Sequence, residues 1–137
     1  VVQHFQQYLH EKTALDGFDP VNHTGYWRQL LVRTTRSKQC MISVGLNRQL
    51  LTDEQLHEQV VVPLKQHFAG NIFGVYSIYY QVSNEPTRQM QRTDPILLDG
   101  ETHIYEKMMN DSLQFRISPL SFFQVCFCKN AFFNLRH

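Results

Sequence analysis

The 137 residues (16.2 kDa) suit a single domain, and 42% hydrophobic residues with 10 Phe and 6 Tyr exclude disorder as the default state. No apolar run approaches the ~18–20 residues that cross a bilayer, and mean hydropathy is -0.36, so a membrane span is excluded. Lys+Arg 13 against Asp+Glu 12 leaves a net charge of +1, so any basic surface must come from local patterning rather than from global charge.

Along residues 1–16, Val1, Phe5, Tyr8/Leu9 and Lys12 recur at spacings of three and four, the stripe of a short amphipathic helix. The turn formers of 18–25 read as a loop. From Tyr26 the period becomes two. Tyr26, Arg28, Leu30, Val32 and Thr34 fall on one face, and Trp27, Gln29, Leu31 and Arg33 on the other. A polar Arg36-Ser37-Lys38 turn leads into a second strand through Cys40, Ile42, Val44 and Leu46, which predicts an antiparallel hairpin over 26–46.

Thr52 followed by Gln55, with Asp53 and Glu54 between them, is a capping box opening a helix over 53–68. Leu56, Val60, Leu64 and Phe68 form its buried stripe, and Pro63 predicts a kink near Val60. A long strand follows over 72–82, then a polar, mobile loop over 84–94, then three short strands at 95–98, 103–108 and 113–117. The predicted class is α+β: an N-terminal helix and a mixed, mostly antiparallel sheet with a ββαβ core followed by a β-meander.

Cys40, Cys126 and Cys128 are an odd set, which favours a reduced, intracellular compartment; cytoplasm or nucleus is expected ahead of mitochondrion. The start Val1-Val2-Gln3-His4, without an initiator Met, reads as a piece of a longer polypeptide. Cys126, Cys128 and His137 lack the spacing and number of a zinc site, and no metal is expected. The seven histidines have no diagnostic acidic or nucleophilic neighbour. More informative are Arg28, Arg33, Arg36, Lys38 and Arg48, which fall in one stretch with Tyr26 and Trp27. Guanidinium groups for phosphates and rings for stacking suit looped RNA. The other reading is a sheet edge kept soluble by its arginines. Candidate RNA contacts are Tyr26, Trp27, Arg28, Arg33, Arg36 and Lys38.

Two runs add a resemblance. Leu113-Gln114-Phe115-Arg116-Ile117-Ser118-Pro119-Leu120-Ser121-Phe122-Phe123-Gln124-Val125 resembles the Phe-x-Ile-Ser-Pro-x-Ser-Phe-Phe-Gln-Val-Asn motif of the S-adenosylmethionine-dependent RNA uracil-5-methyltransferases. His23-Thr24-Gly25-Tyr26-Trp27-Arg28-Gln29-Leu30-Leu31-Val32-Arg33-Thr34 resembles their eukaryotic tRNA branch. The resemblance covers 1–125 and implies an N-terminal helix (1–16), a central RNA-facing domain (17–112), the entry into a methyltransferase domain (113–125) and an unmatched tail (126–137). It implies tRNA as partner alongside the remaining methyltransferase domain, S-adenosyl-L-methionine as cofactor, and Gln124 as the cofactor contact. Cys126 stands where the family has Asn, and none of the three cysteines matches the nucleophile motif. The chain alone is therefore expected to be inactive. The alternative is a non-catalytic protein-interaction domain from a truncated product.

Overall fold

The computed structural model describes residues 1–70, 72–83, 93–121 and 129–134. Its order is α1 (Val2–Glu11), β1 (Trp27–Thr34), β2 (Cys40–Asn47), α2 (Asp53–Leu56), a π-helical turn (His57–Val61), α3 (Val62–Phe68), a 3-10 turn (Ile72–Gly74), β3 (Val75–Ser83), β4 (Ile96–Gly100), β5 (Ile104–Met108), β6 (Leu113–Ile117) and β7 (Lys129–Asn134). The class is α+β, as expected. Among the described residues no helix is long and apolar enough to cross a membrane.

The main sheet runs β4-β3-β2-β1-β7. β1 and β2 are antiparallel, Leu30 opposite Val44 and Val32 opposite Ile42. β2 and β3 are parallel, joined by the helical crossover. Alternation then sends Leu30, Val32, Ile42, Val44, Leu46 and Ile78 to one face, where they bury with Phe5 and Tyr8 of α1, Val60 of the π turn and Leu64 and Phe68 of α3. The kink expected from Pro63 is this π turn: Val62 N–H reaches back five residues to the His57 carbonyl, and Pro63 follows in the first turn of α3. Widening the coil there removes the clash a proline ring makes with the carbonyl four residues earlier.

Three expectations need correction. The strand foreseen over 72–82 begins at Val75, because Phe73 takes a left-handed φ of 62° within the 3-10 turn. The three short strands after the loop do not form one meander. β4 pairs with β3 at the sheet's edge, whereas β5 and β6 form a separate hairpin. The division falls at Gly100, whose φ of 84° turns the chain against the Tyr76 carbonyl, where a Cβ would collide. The hairpin crosses to the other face of the sheet and buries Ile104 and Ile117 against Met41 and Tyr79, with the Tyr79 hydroxyl donating to the Thr102 carbonyl at 2.7 Å. Finally, the unmatched tail contributes a strand, β7, paired with β1 from Gln29 opposite Asn134 to Thr34 opposite Lys129. The loop expected over 84–94 lies largely outside the described residues.

Candidate nucleic-acid interface

The six residues expected to face RNA divide sharply. Trp27 is fully buried, its ring edge-on to Phe5 (6.1 Å) and Tyr8 (6.0 Å). A register shift between Trp27 and Gln29 moves it onto the helix-covered face with Leu30 and Val32, which strict alternation had denied it. Its ring is core and cannot stack on a base. Tyr26 is half-buried, its backbone tied to Asp16 and Asn47. Arg28 is buried: Nη1 donates to Asn47 Oδ1 at 3.2 Å, and the guanidinium lies 5.0 Å from the centre of the Phe18 ring.

Arg33, also buried, points to the hairpin side, where Nη1 donates to the carbonyls of Ser118 (3.2 Å) and Ser121 (2.6 Å). Those carbonyls belong to the Ser-Pro-Leu-Ser turn, closed on itself by Ser118 N–H donating to Ser121 Oγ at 2.9 Å. Arg33 thus joins the two motif runs, 85 residues apart, instead of meeting solvent. Arg48 is engaged with Asp53 at 2.6 Å and with the Leu51 carbonyl at 2.8 Å. Of the expected contacts, only Arg36 and Lys38 are exposed.

These two sit on a well-held turn. Thr35 N–H donates to the Gln39 carbonyl (3.0 Å), and Lys38 N–H to the Thr35 carbonyl (3.0 Å). Lys38 takes a left-handed φ of 63°. Two side chains that sequence reasoning missed then fasten the turn to β5. Fully buried Glu106 accepts Arg36 N–H on Oε2 at 3.1 Å, and Gln39 Oε1 accepts Tyr105 N–H at 2.7 Å. Holding the backbone leaves the Arg36 and Lys38 side chains directed by a rigid base. Glu106 carried a faint signal, an acid between Tyr105 and Lys107 at an inward position of the strand expected over 103–108.

The other expected sites are placed less fully. Gln124, Cys126, Cys128 and His137 lie outside the described residues, and among those described no group of three His, Cys, Asp or Glu could hold a metal. Cys40 is buried in the main core, and burial pushes its thiol up to about 11, far from thiolate chemistry at neutral pH. Among the described residues no glycine-rich turn opens a helix.

No family model matches the chain. Sequence relatives do. The chain is 36% identical over 129 residues to the tRNA (uracil-5-)-methyltransferase homolog A of Homo sapiens, covering 91% of the chain and 20% of that protein. It is a homologue of one stretch of the RNA methyltransferases. Homolog B of Homo sapiens is 34% identical over 128 residues, 91% of the chain and 25% of that protein. An uncharacterized RNA methyltransferase of Fusobacterium nucleatum is 27% identical over 114 residues, 83% of the chain and 23% of that protein. The homologous stretch is therefore only about a fifth to a quarter of the relatives' length.

Proposed function

We propose that this chain is the RNA-recognising portion of a tRNA uracil-5-methyltransferase, with 17–112 as its central domain and 113–125 leading into the catalytic domain. In the complete enzyme S-adenosylmethionine supplies the methyl group for C5 of uridine, and Gln124 contacts that cofactor. The observation that carries the reading is the β1–β2 turn, which presents Arg36 and Lys38 to solvent from a backbone pinned by Glu106 and Gln39. Cations on a fixed support match phosphates at low entropic cost, and such contacts set the register of an RNA rather than read its bases. The relatives' names, all RNA methyltransferases, support the same reading.

The test is tRNA binding across a salt series. Replacing Arg36 by Ala and Lys38 by Gly should weaken binding and flatten the log-affinity against log-salt slope by roughly 0.7–0.9 for each phosphate no longer neutralised. Gly suits position 38 because its φ of 63° favours glycine, so the charge leaves without backbone strain. Unchanged affinity and slope would reject the reading.

Catalysis is proposed to need residues outside this chain, since none of Cys40, Cys126 and Cys128 stands in the family's nucleophile motif. Incubation with labelled S-adenosylmethionine and unmodified tRNA should leave the RNA unlabelled; label at C5 of uridine would overturn this. One observation favours the protein-interaction alternative: edge strand β4 exposes Ile96 (50%) and Leu97 (38%). That alternative expects a partner affinity that changes little with salt.

A further inference from the structure

Beyond the β1–β2 turn, we infer that the RNA-binding surface continues across the outward face of the β5–β6 hairpin, through Tyr105, Lys107 and Arg116. This rests on the reading above and extends it from one turn to a composite surface built by both sheets.

The geometry is set by the hairpin's register. Tyr105 lies directly opposite Arg116, and Lys107 opposite Gln114. Residues two apart on a strand share a face, so Tyr105, Lys107, Gln114 and Arg116 form one outward surface. The opposite face turns Ile104 and Glu106 inward, fully buried. All four outward residues are exposed. The link from Gln39 to Tyr105 N–H, with that from Glu106 to Arg36 N–H, brings the turn carrying Arg36 and Lys38 against β5. Four cations, an aromatic ring and an amide therefore lie on adjoining surfaces. Among the described residues, Glu106 holds the Arg36 backbone from beneath this surface, and Asp111 Oδ2 lies 3.9 Å from Lys107 Nζ, a long, exposed pair that a phosphate can readily replace.

The composition says what the surface fits. Lys107 and Arg116 stand diagonally on a two-stranded sheet, where like charges repel and a polyanion relieves the repulsion. Tyr105, directly opposite Arg116 and two residues before Lys107 on β5, is the stacking element the buried Trp27 cannot be. Together with Lys38 and Arg36 they offer phosphate contacts on either side of a ring, the arrangement single-stranded and looped RNA uses.

Two variants of the same chain test this beside the Arg36→Ala, Lys38→Gly variant, each checked for native circular dichroism. Lys107→Ala with Arg116→Ala should lower tRNA affinity at least several-fold and flatten the salt slope by roughly 1.4–1.8, the effect of leaving two phosphates without a cation. Tyr105→Ala should lower affinity about five-fold or more with little change in slope, because stacking releases no counterions. The Gln39 bond uses the backbone of residue 105, so this variant keeps the anchor. If the turn variant weakens binding while both hairpin variants match the parent, the RNA path stops at the turn and the inference is overturned, leaving the functional reading intact. If no variant alters affinity or slope, both fall together, and the protein-interaction alternative becomes the better reading.

Discussion

Arg33 and His67 are single residues whose surroundings decide what they can do. A guanidinium on a strand could face solvent, but Arg33 spends its donors on the carbonyls of Ser118 and Ser121. Each is a bond from a charged donor, worth about 1.5–3 kcal/mol. Arg33→Ala leaves those carbonyls without it, and a stability lower by about 2–3 kcal/mol is expected in a denaturant melt. Arg33→Lys should recover part of this, since an ammonium on the shorter lysine stem can donate to carbonyls but without the guanidinium's fixed planar geometry. His67 rests on aromatic neighbours, 5.0 Å from Tyr8, 4.7 Å from Phe68 and 5.4 Å from Phe73. Burial first, then Lys12 and His4 nearby, hold its pKa below the usual histidine value. The folded state therefore binds its proton less readily than the unfolded chain. That contribution is fully present above the unfolded pKa of about 6.5 and is lost as pH falls through the lower folded value. Denaturation midpoints should drop as pH falls from about 7 to about 5, and His67→Phe, which keeps an aromatic ring there, should flatten the drop.

Among the elements, the helix opening at Thr52 was legible because a cap is a local device. Gln55 N–H donates to Thr52 Oγ1 at 3.2 Å, and Gln55 Oε1 accepts Thr52 N–H at 3.0 Å. Removing it by Thr52→Ala should cost about 1 kcal/mol in a urea melt, with no change in m-value. The β1–β2 hairpin was equally readable, since alternation and a polar turn are encoded within about twenty residues. What escaped was non-local. The shift that buries Trp27 depends on its bulge against β2, and the withdrawal of Arg28 and Arg33 from the surface depends on Asn47 and on Ser118 and Ser121. Composition shows how many arginines a stretch holds but not which distant carbonyls will claim them. β7 was missed for the same reason: a strand that pairs with residues far earlier in the chain has no neighbouring strand to announce it.

For the whole molecule, the described residues cover the two faces of the main sheet unequally. The helix-covered face buries a core that includes Phe5, Trp27, Leu30, Ile42, Leu64 and Phe68, whereas the hairpin face closes over Met41, Tyr79, Ile104 and Ile117. Less apolar burial means less resistance to opening. Amide exchange should therefore be faster for β5 and β6 than for β2, which is buried along its whole length. Equal protection would show that hairpin and sheet open as one unit. The pairing of β1 with β7 has a consequence in time. β1 finds β2 almost at once, but its other edge is met by residues 129–134, so Gln29 waits for Asn134. At roughly 5–20 residues per second, the ribosome takes roughly 5–20 s to cover that distance. Through that interval the nascent chain carries an open, apolar strand edge, a template for stray pairing with any other chain. The arrival of β7 closes that edge of β1.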